Sequence, residues 1–175
     1  ICTSRLFSGK FMIIPTDISF RQKLYDHIKL REGYKNVVYL DTLSKPTGGI
    51  GHLLSSEEKK IYPVGCLLKE SVIREWYDND IQKALDACND QCKILNIHDI
   101  DFKIALTSVN FQLGTKWFKK FPSAWHALCH REYDKAIDEI MYADKEEERY
   151  SRWYKQTPVR VKDFVEAIEN IKESV

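Results

Sequence analysis

The 175-residue sequence has no large excess of charge of either sign and no long apolar run. Lysine and arginine number 27 against 26 acidic residues, so a net charge of +1 gives no general attraction to nucleic acid. No uninterrupted apolar run exceeds four residues, as at 11–14, whereas a membrane-spanning helix needs about 20. We therefore expect a protein that neither binds nucleic acid nor inserts into a membrane.

Cysteine is also scarce and irregularly spaced. Only Cys88 and Cys92 lie at a helical i, i+4 spacing, and no second ligand pair accompanies them to complete a zinc site. We expect reduced thiols, no metal and no cofactor. The five cysteines are Cys2, Cys66, Cys88, Cys92 and Cys129.

The composition is that of a folded domain, with 43% hydrophobic and 12% aromatic residues. Residues 1–18, interrupted by Gly9 and Pro15, are expected to be a lead-in, and residues 19–175 a single catalytic domain. The chain begins with Ile1 and has no recognisable signal peptide, which suggests a piece of a larger protein made in the cytoplasm.

Apolar residues recur at three- and four-residue spacing over most of the domain, which predicts helices. The first begins after Ser19 as N-cap and ends near Glu32, because Gly33 supplies a left-handed stop. Further helices are predicted over 69–92, 102–113, 122–129, 133–141 and 161–171. Residues 145–149 are expected to form an acidic, solvated turn.

Only the stretch 32–54 is predicted to contain sheet, with a strand over 36–42 followed by tight turns. The expected fold class is α+β, with a small sheet-containing lobe over about 30–70. A linking helix at 69–92 would join it to a helical lobe over 93–175.

Acid–base chemistry is suggested by Glu32 at a helix end, Asp41 after a strand and Thr47 at the next turn. Two carboxyl groups and a hydroxyl can meet in one cleft if the hairpin folds back, and cleavage of an acetal needs such a pair. Gly49 and Gly51 would let backbone approach a sugar chain closely. The alternatives are a solvated helix end for Glu32, a turn residue at Thr47 and a hydrogen-bonded core histidine at His52.

Three blocks resemble the phage-type lysozymes of glycoside hydrolase family 24. LREG at 30–33, YLDT at 39–42 and TGGIGHLL at 47–54 are similar to the catalytic stretch of that family. NFQLG at 110–114 is similar to its cleft-wall segment and SRWYKQTPVR at 151–160 to its C-terminal signature.

This resemblance implies a lysozyme-like fold and a muramidase that hydrolyses the β-1,4 bond between N-acetylmuramic acid and N-acetylglucosamine. Glu32 would be the general acid, and Asp41 and Thr47 would position the attacking water. The implied outcome is inversion of configuration, which requires room for a water between the carboxylates.

The resemblance also implies that Leu53, Phe111 and Gln112 line the glycan cleft. For Leu53 and Phe111, ordinary core packing is the alternative. Arg160 would sit beside Glu32. His52 would pair with Asp80, which we expect to stabilise the fold rather than to take part in catalysis.

The expected partner is the glycan strand of peptidoglycan, met by a monomeric enzyme at the cell wall in the periplasm. One alternative is a non-catalytic glycan- or partner-binding module on the same scaffold. Another is the lysozyme domain of a larger antibacterial toxin, for which an immunity or inhibitor protein would be a further partner.

Overall fold

A computed structural model describes residues 15–174. Its first helix, α1, spans Pro15–Glu32 and therefore begins four residues before the predicted start at Ser19. Proline is favoured at the first helical position because its fixed φ suits a helix and its missing N–H would have no partner there. Most of the predicted lead-in lies outside the described residues.

An antiparallel three-stranded sheet follows, in the order β1 (Lys35–Leu40), β2 (Pro46–Gly49) and β3 (His52–Leu53). Tyr39 lies opposite Thr47, and Gly48 lies opposite His52. The predicted strand and turns thus form a meander that brings residues 39–53 close together.

Two helices lead away from the sheet. The short α2 (Ser56–Ile61) was not predicted, because six residues with no buried side chain carry no apolar period. The 26-residue α3 (Glu70–Leu95) confirms the predicted long helix and extends it to a left-handed cap at Asn96, with φ 54° and ψ 44°.

The rest of the described chain is mainly helical. The bounds of α5 and α6 are those predicted, whereas α7 was missed because it is only five residues long. The elements are α4 (Ile100–Leu113), a 3-10 turn (Trp117–Lys119), α5 (Pro122–Cys129), α6 (Tyr133–Met141), α7 (Arg152–Gln156) and α8 (Pro158–Glu173).

A second small sheet corrects the expectation that sheet is confined to 32–54. β4 (Tyr142–Asp144) pairs antiparallel with β5 (Arg149–Tyr150), and the predicted exposed acidic turn joins them. The rings of Tyr142 and Tyr150 stack across the pair at 5.2 Å. Strands of two and three residues are too short to show the alternation that identifies a strand in sequence.

The buried apolar side chains form two clusters that share α3. Its first half, from Ile73 to Leu85, packs in a sheet-side core with Ile28 of α1 and Val38 of β1. Its second half, from Cys88 onward, packs in a helical core that includes Phe164 of α8. The fold is therefore α+β, and no helix within residues 15–174 is long and apolar enough to cross a bilayer.

Candidate active site

Glu32 is the last residue of α1, so its carboxylate stands where the chain turns toward the sheet. Gly33 has φ +81°, and its N–H donates to the Lys29 carbonyl at 3.0 Å. A left-handed residue closing onto the preceding turn ends a helix, and glycine adopts that conformation without a steric cost. The predicted helix stop is confirmed.

Arg160 contacts Glu32, as expected from the resemblance. The guanidinium Nη2 of Arg160 lies 2.6 Å from Glu32 Oε1, and Arg160 also donates to the Arg31 carbonyl at 3.1 Å. The side chains of Arg160 and Glu32 are 13% and 22% exposed, so solvent screens this ion pair less than a pair on the open surface. One arginine therefore holds both the side chain of Glu32 and the backbone just before it.

A second ion pair, which the sequence did not predict, joins Arg31, the residue before Glu32, to Asp163 of α8. Arg31 donates from Nε to Asp163 Oδ2 at 2.6 Å and from Nη2 to Asp163 Oδ1 at 2.8 Å. His27 Nε2 lies 3.7 Å from Asp163; burial lowers the pKa of His27, and the nearby carboxylate offsets only part of that effect. Because Arg31 and Asp163 are 132 positions apart, no local pattern could have paired them.

Gly51 faces Glu32, whereas Gly49 faces the core. A Cβ placed on Gly51, which has φ +67°, would lie 3.8 Å from Glu32 Oε2. A Cβ on Gly49 would lie 3.0 Å from Ile73 Cγ2, so packing against α3 leaves little room for a side chain there. The approach of a sugar to this backbone stays a prediction.

Asp41 holds the turn between β1 and β2 through one of its carboxylate oxygens. Oδ1 accepts from the backbone N–H groups of Leu43 and Lys45, both at 2.8 Å. Within the described chain these are the hydrogen bonds of the Asp41 carboxylate, so Oδ2 is left available to a water. This turn also requires the positive φ of 59° at Ser44.

Thr47 is attached to the same turn. Its hydroxyl donates to the Lys45 carbonyl at 3.1 Å, and the residue is 5% exposed. The backbone of Lys45 therefore bridges Asp41 and Thr47. The structure thus links Asp41 to Thr47 through Lys45 at one end of β2. Gly51, just beyond the other end of β2, lies beside Glu32.

His52 bonds two carboxylates, one predicted and one not. Its Nδ1 lies 2.7 Å from Asp80 Oδ2, as expected, and its Nε2 lies 3.1 Å from Glu58 Oε2. The ring stacks on Trp76 at 4.5 Å. Burial lowers the pKa of His52, but hydrogen bonds to Asp80 and Glu58 outweigh it, and the pKa is raised above its ordinary value.

Glu58 is held in place for this contact by the start of α2. Its carboxylate accepts from the Ser55 N–H at 2.7 Å, and the Ser55 hydroxyl accepts from the Glu58 N–H, a reciprocal capping box. The sequence signal existed, because serine followed three residues later by glutamate before a short helix is the pattern of this motif.

The three residues implied to line a cleft differ in their surroundings. Leu53 is 51% exposed, and Phe111 is half-buried against the sheet-side core. Gln112 donates to the Thr157 hydroxyl at 3.0 Å and accepts from Trp153 Nε1 at 3.2 Å. Gln112 thus connects α4 to the chain just before α8, the helix that carries Arg160.

Four of the cysteines lie in the described part of the chain, and each is a free thiol. Cys88 and Cys92 are buried with their sulfurs 3.8 Å apart. Within residues 15–174 no cluster of three histidine, cysteine or acidic side chains is arranged to hold a metal ion. Cys2 lies outside the described residues.

A small antiparallel sheet combined with a larger set of helices is consistent with a lysozyme-like α+β fold. A family model described as phage lysozyme matches residues 29–155, more than half of the chain. The chain belongs to the phage lysozyme family, and the resemblance found in its motifs is confirmed. This membership supports a glycosidase activity.

Two curated proteins are similar to the chain over most of its length. One is "Probable T4-type lysozyme 2" of Dictyostelium discoideum, 24% identical over 166 residues that cover 83% of this chain and 93% of that protein. The other is the pre-baseplate central spike protein Gp5 of Enterobacteria phage T4, 25% identical over 166 residues. That match covers 84% of this chain but only 28% of the spike protein.

Proposed function

We propose that this protein is a muramidase that hydrolyses the β-1,4 bond between N-acetylmuramic acid and N-acetylglucosamine in peptidoglycan. The observation that carries the proposal is the setting of Glu32. Arg160 holds one carboxylate oxygen, and the other is the oxygen nearest Gly51, beside the hairpin that carries Asp41 and Thr47. Family membership supports the class of reaction, and these side chains support the particular roles.

Glu32 is the general acid in this mechanism. Protonation of the glycosidic oxygen by a positioned carboxyl group makes the leaving sugar a neutral alcohol and lowers the barrier to C–O cleavage. Because Oε1 is occupied by Arg160, Oε2 is the oxygen that would carry the proton to the substrate.

Asp41 and Thr47 position the water that attacks the anomeric carbon. Asp41 Oδ2 is available to accept a hydrogen from that water, while Oδ1 fixes the carboxylate to its turn. The Thr47 hydroxyl donates to a backbone carbonyl, so its oxygen can accept a hydrogen bond as well. Attack from the face opposite the leaving group inverts the configuration, for which carboxylates about 6.5–9.5 Å apart leave room.

Loss of turbidity of purified cell walls tests the activity. We expect lysis by the parent protein and a loss of at least about a hundredfold in Glu32→Gln, because general-acid catalysis typically contributes that much. Glu166→Gln, an exposed carboxylate on α8, is the matched control and should lyse walls at the parental rate. No lysis by the parent would favour the alternative of a non-catalytic binding module.

The stereochemical outcome is tested separately by NMR of the freshly released anomeric proton. Inversion predicts that the first product is the α anomer, before mutarotation sets in. First appearance of the β anomer would refute the proposed role of Asp41 and point to a covalent intermediate.

The glycan strands of peptidoglycan are the proposed partner, and the cell wall facing the periplasm is the proposed place of action. The chain matches only a fraction of the phage spike protein's length. This favours, as a second candidate, a lysozyme unit within a larger protein such as a toxin, which an immunity protein would inhibit. Sequencing of the flanking coding region tests that candidate.

A further inference from the structure

A groove outside the proposed catalytic residues lies between α3 and the chain that follows α4. Its volume is about 510 Å³. Lys83 and Asp80 line it from α3, and Phe111 and Leu113 from the end of α4. Lys116 and Lys120 line it from the two sides of the 3-10 turn beyond. No role assigned above uses the three lysines.

The charge of this groove is positive. All three lysines are exposed, and none takes part in an ion pair with another residue in the range 15–174. Among the described residues that line the groove, only Asp80 carries a carboxylate, and it lies 2.7 Å from His52 Nδ1. Lys120 donates one hydrogen bond, to the Leu113 carbonyl at 3.1 Å. An ammonium group can donate three hydrogen bonds, so Lys120 can also donate to a ligand.

The surface between the lysines is apolar and firmly supported. Phe111, Leu113 and Ala84 contribute carbon surface. Beneath them the buried side chains of Gln91 and Asn110 exchange hydrogen bonds at 2.9 and 2.8 Å, and Gln91 also donates to the Thr115 carbonyl at 3.2 Å. This network fixes the loop that carries Lys116, so the groove needs little ordering when a ligand binds.

The groove adjoins the implied glycan cleft through Phe111. The next residue, Gln112, is bonded to Thr157 and Trp153 toward α8. Adjacent residues on a helix point about 100° apart, so Phe111 and Gln112 face different sides of α4. The groove therefore lies on the α3 side of α4, and neither Arg160 nor Glu32 is among the residues that line it.

We propose that this groove binds a stem peptide of the wall polymer through its carboxylates, on a sugar beyond the bond that is cleaved. The inference rests on the proposed function. Separate ammonium groups around an apolar floor suit a peptide that carries several carboxylates and alanine methyl groups. A compact phosphate would use the charges but leave the apolar surface unoccupied.

Direct binding tests the groove without any need for catalysis. The free tetrapeptide L-Ala-γ-D-Glu-diaminopimelate-D-Ala is titrated into ¹⁵N-labelled protein. We expect shifts at the amides of Lys83, Gly114 and Lys116, and a Kd about three- to tenfold weaker in K83Q/K116Q, because each exposed ion pair contributes modestly. Lys119→Gln, an exposed lysine in the same 3-10 turn but outside the groove, is the matched control and should retain the parental Kd.

Two results of the titration would overturn the proposal. One is an equal effect of K83Q/K116Q and K119Q on the Kd. The other is an equal response to inorganic phosphate at the same concentration, which would mark a general anion surface. Far-UV circular dichroism and Tm of each variant check that the substitutions leave the fold intact.

Kinetics separates this inference from the proposed function. KM is measured on intact walls and on glycan stripped of its peptides by an amidase, which keeps the lactyl carboxylate. The ratio of the two KM values should change by about three- to tenfold in K83Q/K116Q. If K83Q/K116Q hydrolyses both substrates with an unchanged ratio of KM values, the peptide site in the groove is refuted and the muramidase activity stands. If the peptide binds at these lysines but no substrate is hydrolysed, the muramidase activity is refuted and the peptide site stands.

Discussion

Arg31 and Asp163 bind each other through two hydrogen bonds, of 2.6 and 2.8 Å, between the end of α1 and the first half of α8. Arg31 directly precedes Glu32, and its carbonyl accepts from Arg160 three residues before Asp163. The proposed general acid is therefore held to α8 twice, once through its own carboxylate and once through its neighbour.

Loss of this second connection should affect both stability and catalysis. We expect Asp163→Asn to lower the free energy of unfolding by about 1–3 kcal/mol, since it leaves the Arg31 guanidinium without its charged partner. It should also slow wall lysis several-fold by loosening Glu32. Urea unfolding and turbidity measure the two effects, with Glu166→Gln, exposed on the same helix, as control. An activity equal to that of the parent would show that Arg160 alone positions Glu32.

Asp41 has a structural and a chemical role that substitution can separate. Asp41→Asn keeps an oxygen to accept from the Leu43 and Lys45 N–H groups but removes the charge, so Tm should change little. The rate of wall lysis should fall by about a hundredfold or more, because the group that accepts the water's proton is lost. Asp41→Ala removes the turn contacts as well and should lower Tm. If the asparagine variant keeps more than a tenth of the activity, Asp41 does not act as the base.

Gly51 and Gly65 offer a matched pair for testing the space beside Glu32. Both have positive φ, +67° and +89°, so alanine at either position should cost about 1–2 kcal/mol of backbone strain. Only at Gly51 would the new methyl group lie within 4 Å of Glu32. We therefore expect similar losses of stability in urea and a larger loss of lytic rate in Gly51→Ala. Equal rates in the two variants would mean that Oε2 does not face the substrate.

The ion pair of His52 with Asp80 should make stability depend on pH. The pKa of His52 is raised in the folded state, so its contribution is fully present below the unfolded value of about 6.5 and is lost as pH rises through the folded pKa. At pH 5.5 we expect Asp80→Asn to be less stable than the parent by about 1.5–3 kcal/mol, the range for hydrogen bonds to charged groups. The difference should shrink at alkaline pH.

Asp78→Asn is the control for this experiment, because Asp78 lies on the same helix and pairs with Arg74 at 3.7 Å in an exposed position. Its difference from the parent should not follow the titration of His52. A difference for Asp80→Asn that is independent of pH would indicate that the contact acts as a neutral hydrogen bond.

Much of the fold could be predicted because its helices are long and periodic. The bounds of α5 and α6 are those expected, and α3 begins one residue later and ends three residues later than expected. The missed elements include α2, α7 and the pair β4 and β5, which are two to six residues long and are held by caps or by ring stacking. Local hydrogen bonds and tertiary contacts determine such short elements, so the spacing of apolar residues does not predict them.

The candidate site likewise has residues that could be predicted from the sequence and contacts that could not. One short stretch contains Glu32, Asp41 and Thr47, and its helix stop and turns could be predicted from the sequence. The catalytic roles of these residues stay predictions. The contact of Arg31 with Asp163 had no such signal. The pattern of Ser55 and Glu58 was a signal for the capping box, but the contact of Glu58 with His52 was not part of the resemblance. The lysines of the groove come from three segments that only the folded chain brings together.

The sharing of α3 between the two apolar clusters has a consequence for cooperativity. If one cluster melts locally, the half of the helix that packs in the other stays anchored, and its amides stay protected from deuterium exchange. Amides near Trp76 and amides near Cys92 should thus exchange as two groups with separate opening energies. Thermal fluctuations that open the sheet side alone would then expose the hairpin that carries Asp41 and Thr47 while the helical body keeps its structure.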